Sequence, residues 1–442
     1  MDVVSMNEMM EKVERRKSLL SNIAQAHPGV DGVVFICAGF ENEREQFYQD
    51  STFEYFFGLQ ESALIGYQEL NGKTFLYTPV FTVDRSVWIE EKFDKESLAA
   101  LLIDEVKPLG APINGYSTDP FFKKEALGNL SAQLEALCKR GDKLFIPLSI
   151  SASECKWVVE QLCQYVKGLR EHIVDISPLV AELRRCKSQR ELEYLYRAAE
   201  ITSLAQQAAA GVIRKGNFES DVQAAIEYVY TESGATRAFA SVVGSGKNST
   251  VLHYVDNKSA LKELDLVVVD IGASYGHYCS DITRTYPVSG SFTARQKKVY
   301  QDVLDCQAYI AGLAKPGMFL SYKQEPDKCL NTLSHQFLAD RGYDVQKEFP
   351  HGVGHFVGLD VHDVGDYKNP LAIGDIITIE PGIYLREESL GVRIEDVYWI
   401  VKGGAICLTD IAPKKIEEVE DFMKSSRLGD GFEYDKTGPD EH

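Results

Sequence analysis

Apolar spacing sets the first expectations. Residues Asn7 to Ala26 place Met10, Val13, Leu19, Leu20 and Ile23 on one rough helical face, which His27-Pro28-Gly29 ends. Gly32 to Ala38 is a short apolar run and predicts a buried strand. Thr52 to Leu59 carries four aromatics and is followed by apolar runs at Ala63–Tyr67 and Lys73–Thr78, with the turn pair Asn71-Gly72 between them. Arg85-Ser-Val-Trp88 comes next, then a helix at Leu127–Cys138, a strand at Lys143–Pro147 and a helix at Glu154–Gly168. This predicts a mixed α/β domain over residues 1–175 with no chemical constellation. Its aromatics are assigned to the core, with Phe53, Tyr55 and Trp88 as candidates for a site wall.

A domain boundary is expected within Asp175–Ser188, where Ile176 to Val180 reads as a loop entering a helix. A long amphipathic helix, Gln189–Ala210, and a second, Phe218–Ser233, precede a strand-rich stretch from Phe239 to Thr285. The order then recurs: helices Thr293–Ala314 and Glu325–Arg341, then strands from Glu348 to Val401. We read this as an internal duplication of a helix–helix–sheet unit within a second domain, 183–424. The tail, 425–442, rich in Gly and Asp, is expected to be loosely ordered.

Composition narrows the class. At 442 residues, 44% apolar and 26% charged, the chain suits a soluble protein of two or more domains. A net charge of -19 leaves no basic excess for phosphates and argues against nucleic acid. No run of 18 apolar residues predicts a membrane span, and MDVVSMNEMMEKVERRK is too charged for a signal peptide. Nine scattered cysteines without a CxxC pair fit a reducing, cytoplasmic setting and argue against structural zinc.

The chemistry concentrates in the second half. Asp270 follows the apolar run Leu266–Val269, Gly272 and Gly276 permit a reversal, and Tyr278–Tyr286 reads as the returning strand carrying Asp281. Carboxylates at the ends of buried strands are expensive unless paired, and a divalent cation removes both their desolvation and their repulsion. The plainer alternative pairs Asp281 with Arg284 and lets Asp270 cap a turn. HGVGHFVGLDVHD puts His351, His355 and His362 within thirteen residues, with glycines that disfavour a helical HxxxH zinc pair. Glu380 ends a strand before Pro381-Gly382, as Asp270 does. In GVRIEDVYWI, alternation points Arg393 and Glu395 to one face, with a structural salt bridge for Arg393 as the alternative. Asp270, Asp281, His355, Glu380 and Glu395 would form a hard, oxygen-rich site suited to Mn²⁺, Co²⁺ or Fe²⁺. Four carboxylates exceed one dication's charge, so two metal ions roughly 3.5 Å apart are expected. His277, inside the aspartate hairpin, is expected at the surface.

DIGASYGHYCSDITRTYPV, HGVGHFVGLDVHD, TIEPGIY and VRIED, in that order, resemble the pita-bread metallopeptidases: methionine aminopeptidase, prolidase and aminopeptidase P, with creatinase as a metal-free cousin. EQFYQDSTFEYFFGL, Glu45 to Leu59, also resembles the N-terminal domain of aminopeptidase P and eukaryotic-type prolidase. The resemblance implies an α/β pita-bread catalytic domain with a pseudo-twofold repeat. It implies that Asp270 chelates one metal, that Asp281 and Glu395 bridge both, and that His355 and Glu380 complete the second. It implies Glu380 as proton shuttle, His253 beside the substrate, His362 at the tetrahedral intermediate, and His351 and Arg393 near the residue after the scissile bond.

The activity so implied is release of an N-terminal residue in front of proline, with two divalent ions per chain, Mn²⁺ first and Co²⁺, Fe²⁺ or Zn²⁺ as alternatives. The partners implied are peptides with proline second and a homodimeric or homotetrameric neighbour, with no membrane. A dipeptide-restricted prolidase is the nearest alternative, since HGVGHFVGLDVHDVG is at least as similar to prolidase as to the aminopeptidase and leaves the choice open. A ligand-less binding protein of the same fold and a creatinase-like metal-free hydrolase are the remote ones, disfavoured because all five ligand types are present. Chemically the set is coherent: paired dications lower the pKa of water from 15.7 towards about 7. A carboxylate beside that water can pass its proton to a proline nitrogen that carries no N–H of its own.

Overall fold

The computed structural model describes residues 3–41, 46–89, 94–118 and 123–426. It divides into two compact units, 1–184 and 185–442. Most of the predicted tail, and Glu45 of the aromatic motif, lie outside the described residues.

The first unit opens with helix α1 (Val3–Ala26), whose Val13, Leu19 and Ile23 are buried while Met10 is exposed. Strand β1 (Gly32–Cys37) is central in a mixed six-stranded sheet. The sheet is completed by β2 (Ile65–Glu69), β3 (Thr74–Thr78), β4 (Glu105–Pro108), β5 (Lys143–Ile146) and β6 (Ile173–Asp175), in the order β4-β3-β2-β1-β5-β6. The hairpin of β2 and β3 turns at Asn71-Gly72 as the sequence predicts, with Gly72 at φ 99°. The aromatic stretch after Asp50 is a helix, α2 (Ser51–Phe56), because the Asp50 carboxylate accepts from the amides of Thr52 and Phe53 at its start. Phe53 and Tyr55 are core residues, whereas Trp88 is 62% exposed and stacks on Tyr116 with ring centroids 4.7 Å apart. Helices α3 (Lys95–Ala100), α4 (Gly128–Arg140), α5 (Ser153–Tyr165) and α6 (Ser177–Arg185) complete the series.

The second unit holds α7 (Gln189–Val212) and α8 (Glu219–Glu232) before its first sheets. Ser188 and Glu191 form a reciprocal capping box that starts α7. Strands β8 (Val242–Ser245), β9 (Leu266–Ile271) and β12 (Ile282–Pro287) pair antiparallel in the order β12-β9-β8, and β7 (Thr236–Arg237), β10 (Ala273–Tyr275) and β11 (Tyr278–Cys279) form a smaller sheet beside them. Helices α9 (Ala294–Leu313), α10 (Leu330–Ala339) and α11 (Val345–Glu348) follow. Strands β13 (Ile376–Ile379), β14 (Gly382–Leu385), β15 (Leu390–Arg393), β16 (Asp396–Val401) and β17 (Gly404–Cys407) come next, then helix α12 (Ile416–Ser426). Sheet β13-β16-β17 stands in the second half where β12-β9-β8 stands in the first. Both halves feed one apolar core, in which Ile201, Val269 and Tyr286 of the first half join Val303, Ile379 and Ile400 of the second.

Three expectations need correction. Residues 349–375 form a connecting loop rather than strands, and Ser425 belongs to α12 rather than to a loose tail. The predicted helix Glu325–Arg341 is a 3-10 turn, Pro326–Lys328, followed by the shorter α10. The loop survives because its backbone is anchored: Gly354 runs so close to β13 that an added Cβ would lie 2.0 Å from the Thr378 carbonyl oxygen.

Candidate active site

The two aspartates are brought together by the β9–β12 hairpin, in which Thr283 lies opposite Asp270. At its far end the chain reverses through Gly276 and His277, with φ of 54° and 69°, between the paired residues Tyr275 and Tyr278. Two positive φ values in succession make the turn geometry that suits a right-twisted hairpin. His277 is half-buried in this turn, more enclosed than the surface position expected for it.

Asp281 does not pair with Arg284. Successive residues of β12 face opposite ways, so Thr283 turns to the site and Arg284 away from it. The fully buried Arg284 guanidinium binds Asp396 Oδ1 at 2.7 Å and donates to the carbonyls of Thr283, Glu395 and Ala412. It thereby ties β12 to the segment that carries Glu395.

Around a cavity of about 700 Å³ the structure gathers Asp270, Asp281, His355, Glu380, Glu395, His253, His351, His362 and Arg393, all nine of the sequence-predicted site residues. His355 Nε2 lies 3.4 Å from Asp281 Oδ2, 3.7 Å from Glu380 Oε1 and 3.9 Å from Glu395 Oε1. These separations are too long for good hydrogen bonds. The other ring nitrogen, Nδ1, bonds the Phe356 carbonyl at 3.1 Å, which leaves the Nε2 lone pair aimed at the acids.

The electrostatics are those of an over-acidic pocket. Two carboxylates about 4 Å apart repel by about 4 kcal/mol at an effective dielectric of 20. Burial, then Glu395 and Asp270, push the Asp281 carboxyl well up, and burial followed by Glu395 does the same to Glu380. Glu395 is raised to about 7 by burial and Asp270. Among the described residues, Asp281 Oδ1 and Glu395 Oε1 are buried with no hydrogen-bond partner. Donor atoms of Asp281, His355 and Glu395 all fall within 4.8 Å of one another. Unpartnered buried oxygens beside an imidazole lone pair fit a divalent cation, because its charge would relieve both the repulsion and the desolvation.

Asp270 behaves differently. Its Oδ2 accepts from Arg393 Nη2 at 2.7 Å, the salt bridge raised above as the alternative for Arg393. Arg393 also donates through Nη1 to the Tyr384 hydroxyl at 2.8 Å and through Nε to Thr283 Oγ1 at 3.1 Å. Thr283 Oγ1 donates in turn to Glu395 Oε2 at 2.7 Å. His351 Nδ1 bonds the Gly352 carbonyl and Nε2 the Tyr384 hydroxyl, both at 2.8 Å. Burial, then the Arg393 charge, lowers the His351 pKa to about 3, so its Nε2 accepts from the phenol as neutral imidazole. Tyr384 and Thr283, which lie within TIEPGIY and SDITRTYPV, are site residues that the sequence reading misses; a hydroxyl alternating with charged positions on a strand is the signal that marks them. His362 is exposed to the cavity, its ring 4.2 Å from that of His355 at 72°, and its pKa is lowered by burial and by His355. His253 is also exposed, on a loop held by the buried Glu219 carboxylate, which accepts from the neighbouring Tyr254 hydroxyl at 2.8 Å and from the Ser259 amide.

A repeated helix–sheet order, with acids and a histidine converging from both halves, gives a pita-bread fold with a candidate metal centre. Residues 193–402 match the model of metallopeptidase family M24. The chain is 36% identical over 276 residues to the Xaa-Pro aminopeptidase of Haemophilus influenzae, covering 57% of this chain and 64% of that one. It is 38% identical over 239 residues to the Xaa-Pro dipeptidase of Pyrococcus horikoshii, covering 53% and 65%. Each of these alignments spans just under two thirds of the relative. Over the longer range, the structure of Escherichia coli aminopeptidase P with the inhibitor Pro-Leu superposes with a TM-score of 0.78 at 27% identity, covering 95% of this chain and 99% of that one. Residues 193–402 thus carry the match to metallopeptidase family M24, and over nearly its whole length the chain is similar in fold to aminopeptidase P.

Proposed function

We propose that this chain is a metal-dependent exopeptidase that releases the N-terminal residue of peptides from in front of proline. The observation that carries this reading is the pair of buried, unpartnered oxygens, Asp281 Oδ1 and Glu395 Oε1, on carboxylates that lie beside His355 Nε2. Asp270, Asp281, His355, Glu380 and Glu395 would hold two divalent ions, Mn²⁺ first, since five hard donors with four negative charges suit that ion. When bound, the ions supply an acidified water at neutral pH.

The remaining roles fall to the protein. Glu380, its carboxyl raised by burial, takes a proton within the cavity and returns it to the proline nitrogen, which departs only when protonated. His362, at the cavity surface, donates to the oxygen that gains charge. His253 lies beside the substrate. His351, neutral and fixed by Tyr384, and Arg393, fixed by Asp270 and Tyr384, hold the residue after the scissile bond. Surplus acid charge suits the free α-amine of the first residue.

In the same reading, residues 1–175 serve as the aminopeptidase P-type N-terminal domain and 183–424 as the catalytic domain. The enzyme works as a dimer or tetramer, and nine free thiols support a cytoplasmic location. No helix among the described residues is long and apolar enough to cross a membrane.

A dipeptide-restricted prolidase is the second reading, favoured by the 38% identity to an Xaa-Pro dipeptidase. A substrate panel with Mn²⁺ added tests both: the first reading requires cleavage of Xaa-Pro-Xaa and longer peptides. Cleavage of Xaa-Pro alone would replace it by the second.

A further inference from the structure

Two glutamines outside the cavity repeat one arrangement in the two halves of the second unit. Gln206 on α7 is 1% exposed, and its Nε2 donates to the carbonyls of Val269 and Ile282, at 3.0 and 2.8 Å. Gln307 on α9 is also 1% exposed, and its Nε2 donates to the carbonyls of Ile379 and Ile394, both at 3.2 Å. Val269 precedes Asp270, and Ile282 follows Asp281. Ile379 precedes Glu380, and Ile394 precedes Glu395. Each amide therefore clamps backbone next to two of the four acids, at the point where their strands leave the sheet.

Two further bonds fix the direction of these amides. The Tyr286 hydroxyl donates to Gln206 Oε1 at 3.1 Å, which turns the Gln206 amino group towards the carbonyls. Gln307 Nε2 also reaches Asp396 Oδ2, the carboxylate that holds Arg284, at 3.1 Å. A buried amide is unfavourable unless its donors are met, and an aliphatic side chain would fill either position without that demand. Packing alone gives no reason for glutamine twice, in equivalent places, on carbonyls adjacent to the same kind of residue.

We infer that Gln206 and Gln307 are positioning residues that fix the backbone beside Asp270, Asp281, Glu380 and Glu395, and so hold the carboxylates ready for the ions. The inference rests on the metal-binding reading above. Gln206 serves the aspartate pair and Gln307 the glutamate pair.

The test uses the full chain, stripped of metal, with Gln206→Met and Gln307→Met, and Gln206→Asn and Gln307→Asn as second variants. Co²⁺ and Mn²⁺ are titrated separately, followed by calorimetry and by the visible absorption of bound Co²⁺, alongside the Tm of each metal-free protein. We expect every folded variant to bind metal 10- to 100-fold more weakly, the scale seen when groups supporting metal ligands are removed. We also expect an altered Co²⁺ spectrum. A lowered Tm with metal affinity within twofold of wild type and an unchanged spectrum would make the glutamines purely structural and overturn the inference. Failure of both substitutions at one position to fold would overturn it for that position. If wild-type protein itself binds less than about one ion, the metal reading fails and the inference with it, a result distinct from selective loss in the variants.

Discussion

Arg393 Nη2 lies 2.7 Å from Asp270 Oδ2, so one of the four acids is already neutralised by the protein while Asp281 and Glu395 keep unpartnered oxygens. The candidate ligands are thus unequal in the metal-free protein. Metal titration should show two steps, the weaker one competing with the guanidinium for Asp270. Arg393→Met should strengthen the weaker step and draw the two together. A single step in the wild type, or the same gap in the variant, would contradict this competition.

In the proposed reaction Glu380 would supply both a ligand oxygen and the proton transfer. Glu380→Ala should abolish turnover of an Xaa-Pro peptide while the far-UV circular dichroism stays that of wild type. Retention of a tenth of the activity would remove Glu380 from the proton path.

His362 is exposed to the cavity and meets His355 edge-on, so its loss should spare the fold. His362→Ala should lower kcat by about 10²–10³, the size of one lost oxyanion donor, with KM little changed. An unaltered kcat would give His362 no part in charge stabilisation.

The raised carboxyls give metal-free protein a pH dependence of known sign. Unfolded carboxyls titrate near 4, whereas folded Glu395 is held up to about 7. Between those values the folded state binds more protons than the unfolded chain, so this group's stabilisation is present at low pH and is lost as pH rises through about 7. Comparison with Glu395→Gln isolates the effect. The variant's Tm should gain on that of metal-free wild type as pH goes from 5 to 7.5, and Mn²⁺ at pH 7.5 should raise the wild type more. A Tm difference that does not move with pH would refute the assignment.

The loop bearing His355 and His362 is pinned by Lys187 and Asp363, a pair 2.9 Å apart with both side chains 1% exposed. Removing one partner of such a pair leaves a buried charge, at a cost of about 3–5 kcal/mol. Lys187→Met should destabilise by that amount in urea unfolding, and Asp363→Leu added to it should recover part of the loss. Equal stability of the single and double variants would show that Asp363 finds other compensation.

Much of this site could be read from the sequence, because an acid that ends an apolar strand stands out: Asp270 and Glu380 both do, and both line the cavity. The glycine-flanked His355 was legible for a related reason, as Gly354 passes where no side chain fits. Partners set by distant segments were not legible. Arg284 lies three residues from Asp281 yet binds Asp396, more than a hundred residues on. Nothing local distinguishes Gln206 within SLAQQAAA, since its partners come from another element. The aromatic stretch after Asp50 gave no period, and the cap decided it as a helix. Residues 349–375 are apolar enough to suggest strands, but their pairing with β13 is confined to isolated bonds around Phe356, and the Val353 and His355 amides go to the side chains of Asn331 and Thr378.

The duplication also bears on how this polypeptide can be divided. Asp270 and Asp281 precede the turn at Ser289-Gly290, and His355, Glu380 and Glu395 come after it, so either fragment of a chain severed there would carry an incomplete chelator. Catalysis would then report reassembly: two inert pieces, fused to proteins that meet, would regain cleavage only when the halves of the shared core closed over each other again.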